Sequence, residues 1–244
     1  MNEETHLVRR AIIMAAGVGN RMHPVTLEIP KPLVPVNGTR MIDTVIRALH
    51  QNGIYEIYVV VGYKKECFSG LPEQYPGLSL IENPYYDQCN NIASLYVARE
   101  HLSDCMILDG DQMIYRADAL SPGFTRSGYN AVWCEGETRE WLMTVEDGIV
   151  RSCSRTGGSH GWQLYSISRW TAEDGSKLRR QLEMEFEEKQ NRQIYWDDVA
   201  MFCHPEEFCL GIHEMQKGDV VEIDDLTELA QIDPSYLDLL QSVR

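Results

Sequence analysis

Residues 11–14, Ala-Ile-Ile-Met, form a short apolar run that passes straight into Ala15-Ala16-Gly17-Val18-Gly19. Apolar runs without polar alternation suit strands covered on both faces, and glycines just past a strand let backbone N–H groups approach a ligand closely. The rest of the first half repeats this theme. Residues 40–53 carry Met41, Val45, Ile46 and Leu49 at helical spacing, with Gly53 as a stop. Residues 57–61 predict a second strand, 78–81 a third, about 91–102 a helix, and 105–108 a fourth strand ending at Asp109. Strands alternating with amphipathic helices predict a Rossmann-like α/β fold, a mostly parallel sheet flanked by helices.

The second half changes character. Residues 130–134, 141–146, 149–153 and 162–169 look like strands joined by short turns, and a charged helix follows over about 171–190. Thr171 and Asp174 are spaced as a capping pair, and Leu178, Leu182 and Phe186 supply the helix's apolar stripe. No low-complexity linker interrupts the chain. The expectation is a single domain over 1–244, with a nucleotide-binding half at about 8–120. A β-rich acceptor-binding insertion and C-terminal helices would occupy about 121–232.

With 37 acidic against 22 basic side chains the net charge is -15, which argues against a nucleic-acid surface. One triphosphate is a different matter, since a few local cations and a metal can hold it. The opening MNEETHLVRR lacks the layout of a secretory signal, and no run approaches the roughly 18 apolar residues of a membrane helix. Seven scattered cysteines contain no CxxC pair. The expected setting is the reducing cytoplasm, with no membrane partner.

Chemistry concentrates in residues 15–38, AAGVGNRMHPVTLEIPKPLVPVNG. Arg21 suits a fork of phosphate oxygens, and Lys31 is a point charge stiffened by Pro30 and Pro32. Met22 stands where a dinucleotide fingerprint would have its third glycine, which weakens a nicotinamide reading. Asp109 and Asp111, two apart at a strand end, can face the same cleft, as can Glu222 and Asp224.

The AAGxGxR and PKPLV pattern resembles the signature of the nucleotidyltransferases that make nucleotide-sugars and related activated alcohols. Asn90-Asn91-Ile92-Ala93-Ser94-Leu95-Tyr96, Asp109-Gly110-Asp111, Glu140-Trp141, Tyr195-Trp196-Asp197 and Val221-Glu222-Ile223-Asp224 extend the similarity over about 10–230. They look most like bacterial CTP:phosphocholine cytidylyltransferases. Residues 121–139 and 155–193 match weakly, and His23 stands where relatives often carry Arg.

That resemblance implies a set of roles. Ala15, Ala16, Gly17, Gly19, Asn20, Arg21, Asn90, Asn91, Ser94 and Asp109 would surround CTP. Lys31, Arg21, Asp111 and Asp224 would carry catalysis, and Asp111, Glu222 and Asp224 would hold Mg²⁺. Trp141 and Tyr195, with Trp196, Glu140 and Asp197 beside them, would seat a small phosphorylated amino-alcohol. A trimethylammonium group donates no hydrogen bonds and is drawn to aromatic faces, so phosphocholine is the expected acceptor. Phosphoethanolamine, 2-aminoethylphosphonate and a sugar 1-phosphate stay open as acceptors. So do a non-catalytic nucleotide-binding role and a homodimer.

Overall fold

The computed structural model describes residues 4–242; Met1–Glu3 and Val243–Arg244, part of the span expected as one domain, lie outside the described residues. Its centre is strand β1, Arg10–Ala15, hydrogen-bonded in parallel to β2 (Glu56–Val61) on one side. Beyond β2 lies β3 (Leu78–Glu82), also parallel. On the other flank of β1 runs β4 (Cys105–Asp109), parallel as well.

Side-chain alternation explains why the opening run is uniformly apolar. Ala11, Ile13 and Ala15 point into one core with Val45, Ile46 and Leu49 of helix α1, Met41–Gln51. Ile12, Met14 and Ala16 point into a second core with Ile92, Ala93 and Leu95 of helix α2, Ile92–Val97. Each large aliphatic side chain buried this way contributes about 1.5–3 kcal/mol. Helix α1 gives way at Asn52 to Gly53, whose φ of 76° is the left-handed stop that glycine permits.

A short strand, β5 (Gln112–Ile114), follows β4. The β-rich half then adds β6 (Gly128–Thr138), β7 (Leu142–Glu146), β8 (Ile149–Ser154) and β9 (Gly158–Trp170). These do not make a separate sheet. The C-terminal end of β9 pairs antiparallel with β4, so one sheet of nine strands runs through both halves. The α/β expectation holds, with four parallel strands in the first half and a largely antiparallel extension that makes the whole sheet mixed.

Helix α3 spans Ala172–Glu183, and the Thr171 hydroxyl accepts from Asp174 N at its start. The expected helix to 190 continues as a wider π turn over Met184–Glu188, where buried Glu185 gathers Lys189, Asn191 and His204. Strands β10 (Gly211–Glu214) and β11 (Val220–Glu222) and helix α4 (Leu226–Ile232) follow, α4 being capped by the Asp225 side chain, which accepts from Glu228 N. A third core packs Met22 of the glycine loop with Met113, Ile223, Leu226 and Leu229. That core fixes the loop, β5 and β11 to one another. No helix among the described residues is long and apolar enough to cross a membrane.

Candidate active site

The glycine loop leaves the carboxyl end of β1 and turns at Gly19, whose φ is 69°. A Cβ on Gly19 would also lie 3.1 Å from both Lys31 Cβ and Thr26 Cγ2, so sterics and backbone conformation both demand glycine. Thr26 Oγ1 donates to Gly19 O at 2.8 Å, and Tyr63 Oη donates to Thr26 O at 2.9 Å. The loop is thereby tied to the segment that carries Lys31. Gly110 plays the matching part opposite. Its N donates to Met14 O at 2.9 Å, and a Cβ there would meet Pro32 Cβ at 3.3 Å.

Asp111 and Asp224 meet because β5 and β11 pair antiparallel with Gln112 opposite Glu222. Asp111 stands one residue before that pair and Asp224 two residues after it. Lys31 Nζ sits between them, 2.5 Å from Asp111 Oδ2 and 3.1 Å from Asp224 Oδ1. Arg21 Nη2 approaches the same Asp224 oxygen at 2.9 Å. Burial pulls the Lys31 ammonium down, but the Asp111 and Asp224 carboxylates outweigh it and hold its pKa above the ordinary value. Lys31 is therefore fully charged. Both cations are engaged by carboxylates, yet Lys31 keeps a third N–H donor and Arg21 most of its fork for phosphate oxygens.

Glu222, the third residue of the expected metal set, lines the second chamber with Asp111 and Asp224. Its Oε1 accepts from Gln112 Nε2 at 2.8 Å, and burial, with Asp111 next in effect, pushes its pKa up to about 7. Among the described residues no three His, Cys, Asp or Glu side chains converge as a metal cluster. Asp111 and Asp224 share one cation, and two carboxylates suffice for Mg²⁺ bound jointly with substrate phosphates.

Two cavities open from this point. The first, about 400 Å³, runs along the loop past Ala15, Gly17, Gly19, Asn20 and Pro32. The second, about 370 Å³, extends under the β-rich half past Asp109, Glu140, Trp141, Tyr195 and Asp197. Arg21, Asp111 and Asp224 line both, so the two chambers join at the carboxylate pair. Trp141 and Tyr195 meet edge to face, centroids 5.9 Å apart at 89°. Burial pushes the Asp197 carboxyl up to about 7 and holds Asp109 well above the carboxylate range, with Asp111 adding to the latter. Glu140 is raised too, by burial and then by Asp224.

Several expected residues stand back from the cavities. Trp196 is 1% exposed and packs on Tyr129, with centroids 6.0 Å apart, so it belongs to the core and not to the acceptor wall. Ser94 is buried and accepts from Asn83 Nδ2 at 3.0 Å. Ala16 is buried, and its carbonyl accepts from Tyr63 N. Asn90 donates to Gln193 O, while Asn91 Oδ1 accepts from Trp196 N at 2.9 Å. The asparagines thus brace the 193–196 segment, and Asn91 faces the second chamber, as does Asp109, instead of the first. Arg139, Leu164 and Ser166 line that chamber without having been singled out. Leu164 and Ser166 share a face of β9 by the two-residue period, which could have located them.

Residues 11–172 match the family model of the MobA-like NTP transferase domain. The chain is 40% identical over 236 residues, 95% of each protein, to a 2-aminoethylphosphonate cytidylyltransferase of Lancefieldella rimae. It is 30% identical over 224 residues to a choline-phosphate cytidylyltransferase of Streptococcus pneumoniae, spanning 92% of this chain and 96% of the other. A solved structure of the CTP:phosphocholine cytidylyltransferase from Streptococcus pneumoniae superposes with a TM-score of 0.84 at 31% identity, over 93% of this chain and 99% of that one. The loop, the paired carboxylates and this full-length likeness agree: the chain belongs to the nucleotidyltransferases built on the MobA-like NTP transferase domain.

Proposed function

We propose that the protein is a cytidylyltransferase that moves CMP from CTP onto a small acceptor bearing a phosphonate or phosphate and a primary ammonium, 2-aminoethylphosphonate foremost. The use of CTP rests on the likeness to relatives named for cytidylyl transfer. The choice of a primary ammonium rests on one observation, and placing the phosphonate first follows the likeness to a relative named for 2-aminoethylphosphonate. Besides Asp111 and Asp224, which would hold the metal, the second chamber is lined by the carboxyl groups of Asp109, Glu140, Asp197 and Glu222 but by only two aromatic rings, Trp141 and Tyr195. A primary ammonium brings three donors that need oxygen partners, and leaving such donors unmade costs about 1–3 kcal/mol or more. A trimethylammonium makes no use of those oxygens as hydrogen-bond acceptors and would gain more from ring faces than two rings offer. With Trp196 in the core, the ring wall is thinner than the sequence suggests.

In the transfer, an acceptor oxygen attacks the α-phosphorus of CTP. The new P–O bond forms as the bond from that phosphorus to the bridging oxygen breaks, and pyrophosphate leaves. The acceptor arrives with an anionic oxygen, so no general base is required. Loop amides from Gly17 to Asn20, with Arg21, would hold the departing pyrophosphate, and Lys31 would neutralise charge at the reacting centre. Asp111 and Asp224 already converge on one cationic nitrogen, so their oxygens fit a hard divalent ion. Mg²⁺ held there would lower the charge repulsion between the two anionic substrates.

Phosphocholine is the second reading, favoured by the edge-to-face Trp141–Tyr195 pair. The test is kcat/KM with CTP for 2-aminoethylphosphonate, phosphoethanolamine and phosphocholine. A preference for phosphocholine would overturn the primary-ammonium assignment and leave cytidylyl transfer standing.

A further inference from the structure

Behind the two rings of the second chamber lies a cation that no step above uses. Arg155 follows β8, and because β7 and β8 pair antiparallel with Leu142 opposite Ser154, it stands across the hairpin from Trp141. Its guanidinium carbon is 5.5 Å from the Trp141 ring centre and 3.9 Å from that of Phe202. The same group forms an ion pair with Asp198, whose side chain is 3% exposed. Asp198 in turn accepts from Tyr195 N through its other oxygen, Oδ2, at 3.0 Å. One arginine therefore stacks on Phe202, which meets Trp141 edge to face, lies over Trp141 at longer range, and holds the backbone of Tyr195 through a buried carboxylate.

We propose that Arg155 and Asp198 are the positioning pair that fixes the Trp141–Tyr195 wall against the acceptor. The geometry suits the task. A planar guanidinium can stack on one ring, here Phe202, and donate in its plane to a carboxylate oxygen at once, which neither lysine nor a neutral side chain does. Trp141 comes from the β-rich half and Tyr195 from the segment after α3, so the Arg155–Asp198 pair adds to their edge-to-face contact a second tie between separate elements. Burial of Asp198 makes the link stringent, because removing Arg155 leaves that carboxylate without its counter-charge.

The inference rests on the second chamber being the acceptor site, and the experiment separates the two claims. Steady-state constants for CTP and for 2-aminoethylphosphonate are measured in wild type, Trp141→Ala, Arg155→Met, Arg155→Lys and the Arg155→Met/Trp141→Ala double variant. Methionine keeps an apolar stem over Phe202 without the charge, and lysine keeps the charge without the planar stack. Arg155→Met is expected to raise the acceptor KM about tenfold, with kcat and the CTP KM within about twofold. Arg155→Lys should fall between, and the double variant should raise the acceptor KM by less than the product of the two single effects, any excess over Trp141→Ala being the Tyr195 arm held through Asp198. If Arg155→Met folds poorly, Asp198→Asn, which keeps an acceptor for Tyr195 N, should give the same acceptor-only rise. A Trp141→Ala protein with unchanged acceptor KM would sink the chamber reading itself. An effect of Trp141→Ala without one of Arg155→Met, an Arg155→Met loss shared equally by both substrates, or multiplicative effects in the double variant would overturn the positioning role alone.

Discussion

Replacing Lys31 by alanine should separate its part in the reaction from its part in the fold. Its side chain is 9% exposed and makes two charge-assisted hydrogen bonds, to Asp111 and Asp224. Such bonds contribute about 1.5–3 kcal/mol each when both partners are shielded. Here the partners' side chains are 29% and 36% exposed, so water can rehydrate them and much of that value is screened. The expected stability loss is therefore only about 1–2 kcal/mol. At the reacting centre no water can replace a fixed cation, and losing a donor aimed at developing charge costs about 2.7–4 kcal/mol, or 10²–10³ in kcat. CTP binding keeps the loop amides and Arg21, so its Kd should weaken less than about tenfold. Pyrophosphate release under saturating substrates gives kcat, and calorimetric titration with CTP alone gives Kd. Equal losses in the two would mean that Lys31 is a ground-state contact, and the placement of its charge at the transition state would be refuted.

Three further outcomes follow from the geometry. Asp111→Asn and Asp224→Asn should each abolish most divalent-dependent turnover without unfolding the chain, because an amide keeps the shape and loses the charge; near-wild-type rates at saturating Mg²⁺ would remove them from the metal site. Burial raises the Asp197 carboxyl from 3.8 to about 7, so the folded state binds its proton more tightly than the unfolded state does. Its contribution to stability is thus complete below about pH 4 and declines as pH rises to about 7, with a slope approaching about 1.4 kcal/mol per pH unit. Asp197→Asn should flatten that decline in urea-unfolding curves between pH 4 and 7, and an unchanged slope would contradict the assignment. Gly175 lies within α3, where a Cβ would run into the Leu102 carbonyl oxygen. Gly175→Ala should lower Tm despite a helix-propensity gain of about 1 kcal/mol, and a higher Tm would show that the backbone yields.

The parts of the site legible in sequence are those set by local rules. Gly19, the prolines around Lys31, and Asp109 and Asp111 at a strand end are all fixed by neighbours within a few residues. The caps at Thr171 and Asp225 are equally local. What sequence missed depends on distant partners. Glu222 turns to Gln112 because β5 and β11 pair across 110 residues of chain. Trp196 and Tyr195 are adjacent aromatics in a turn with no two- or 3.6-residue period to say which faces inward, and packing on Tyr129 and Trp170 decides it. Ser94 reads as a ligand contact until Asn83, eleven residues earlier, is seen to donate to its hydroxyl. Arg139 sits in a stretch where the family likeness is weak, so only the folded β-rich half brings it into the chamber.

The most direct measurement is pyrophosphate release with each of the four nucleoside triphosphates, with and without 2-aminoethylphosphonate, in the presence of Mg²⁺. Joined chambers meeting at Asp111 and Asp224, with relatives named for cytidylyl transfer, predict fast release from CTP only when the acceptor is present. Failure to release pyrophosphate with any small phosphonate or phosphate acceptor, or a preference for another nucleotide, would contradict the assignment as a cytidylyltransferase.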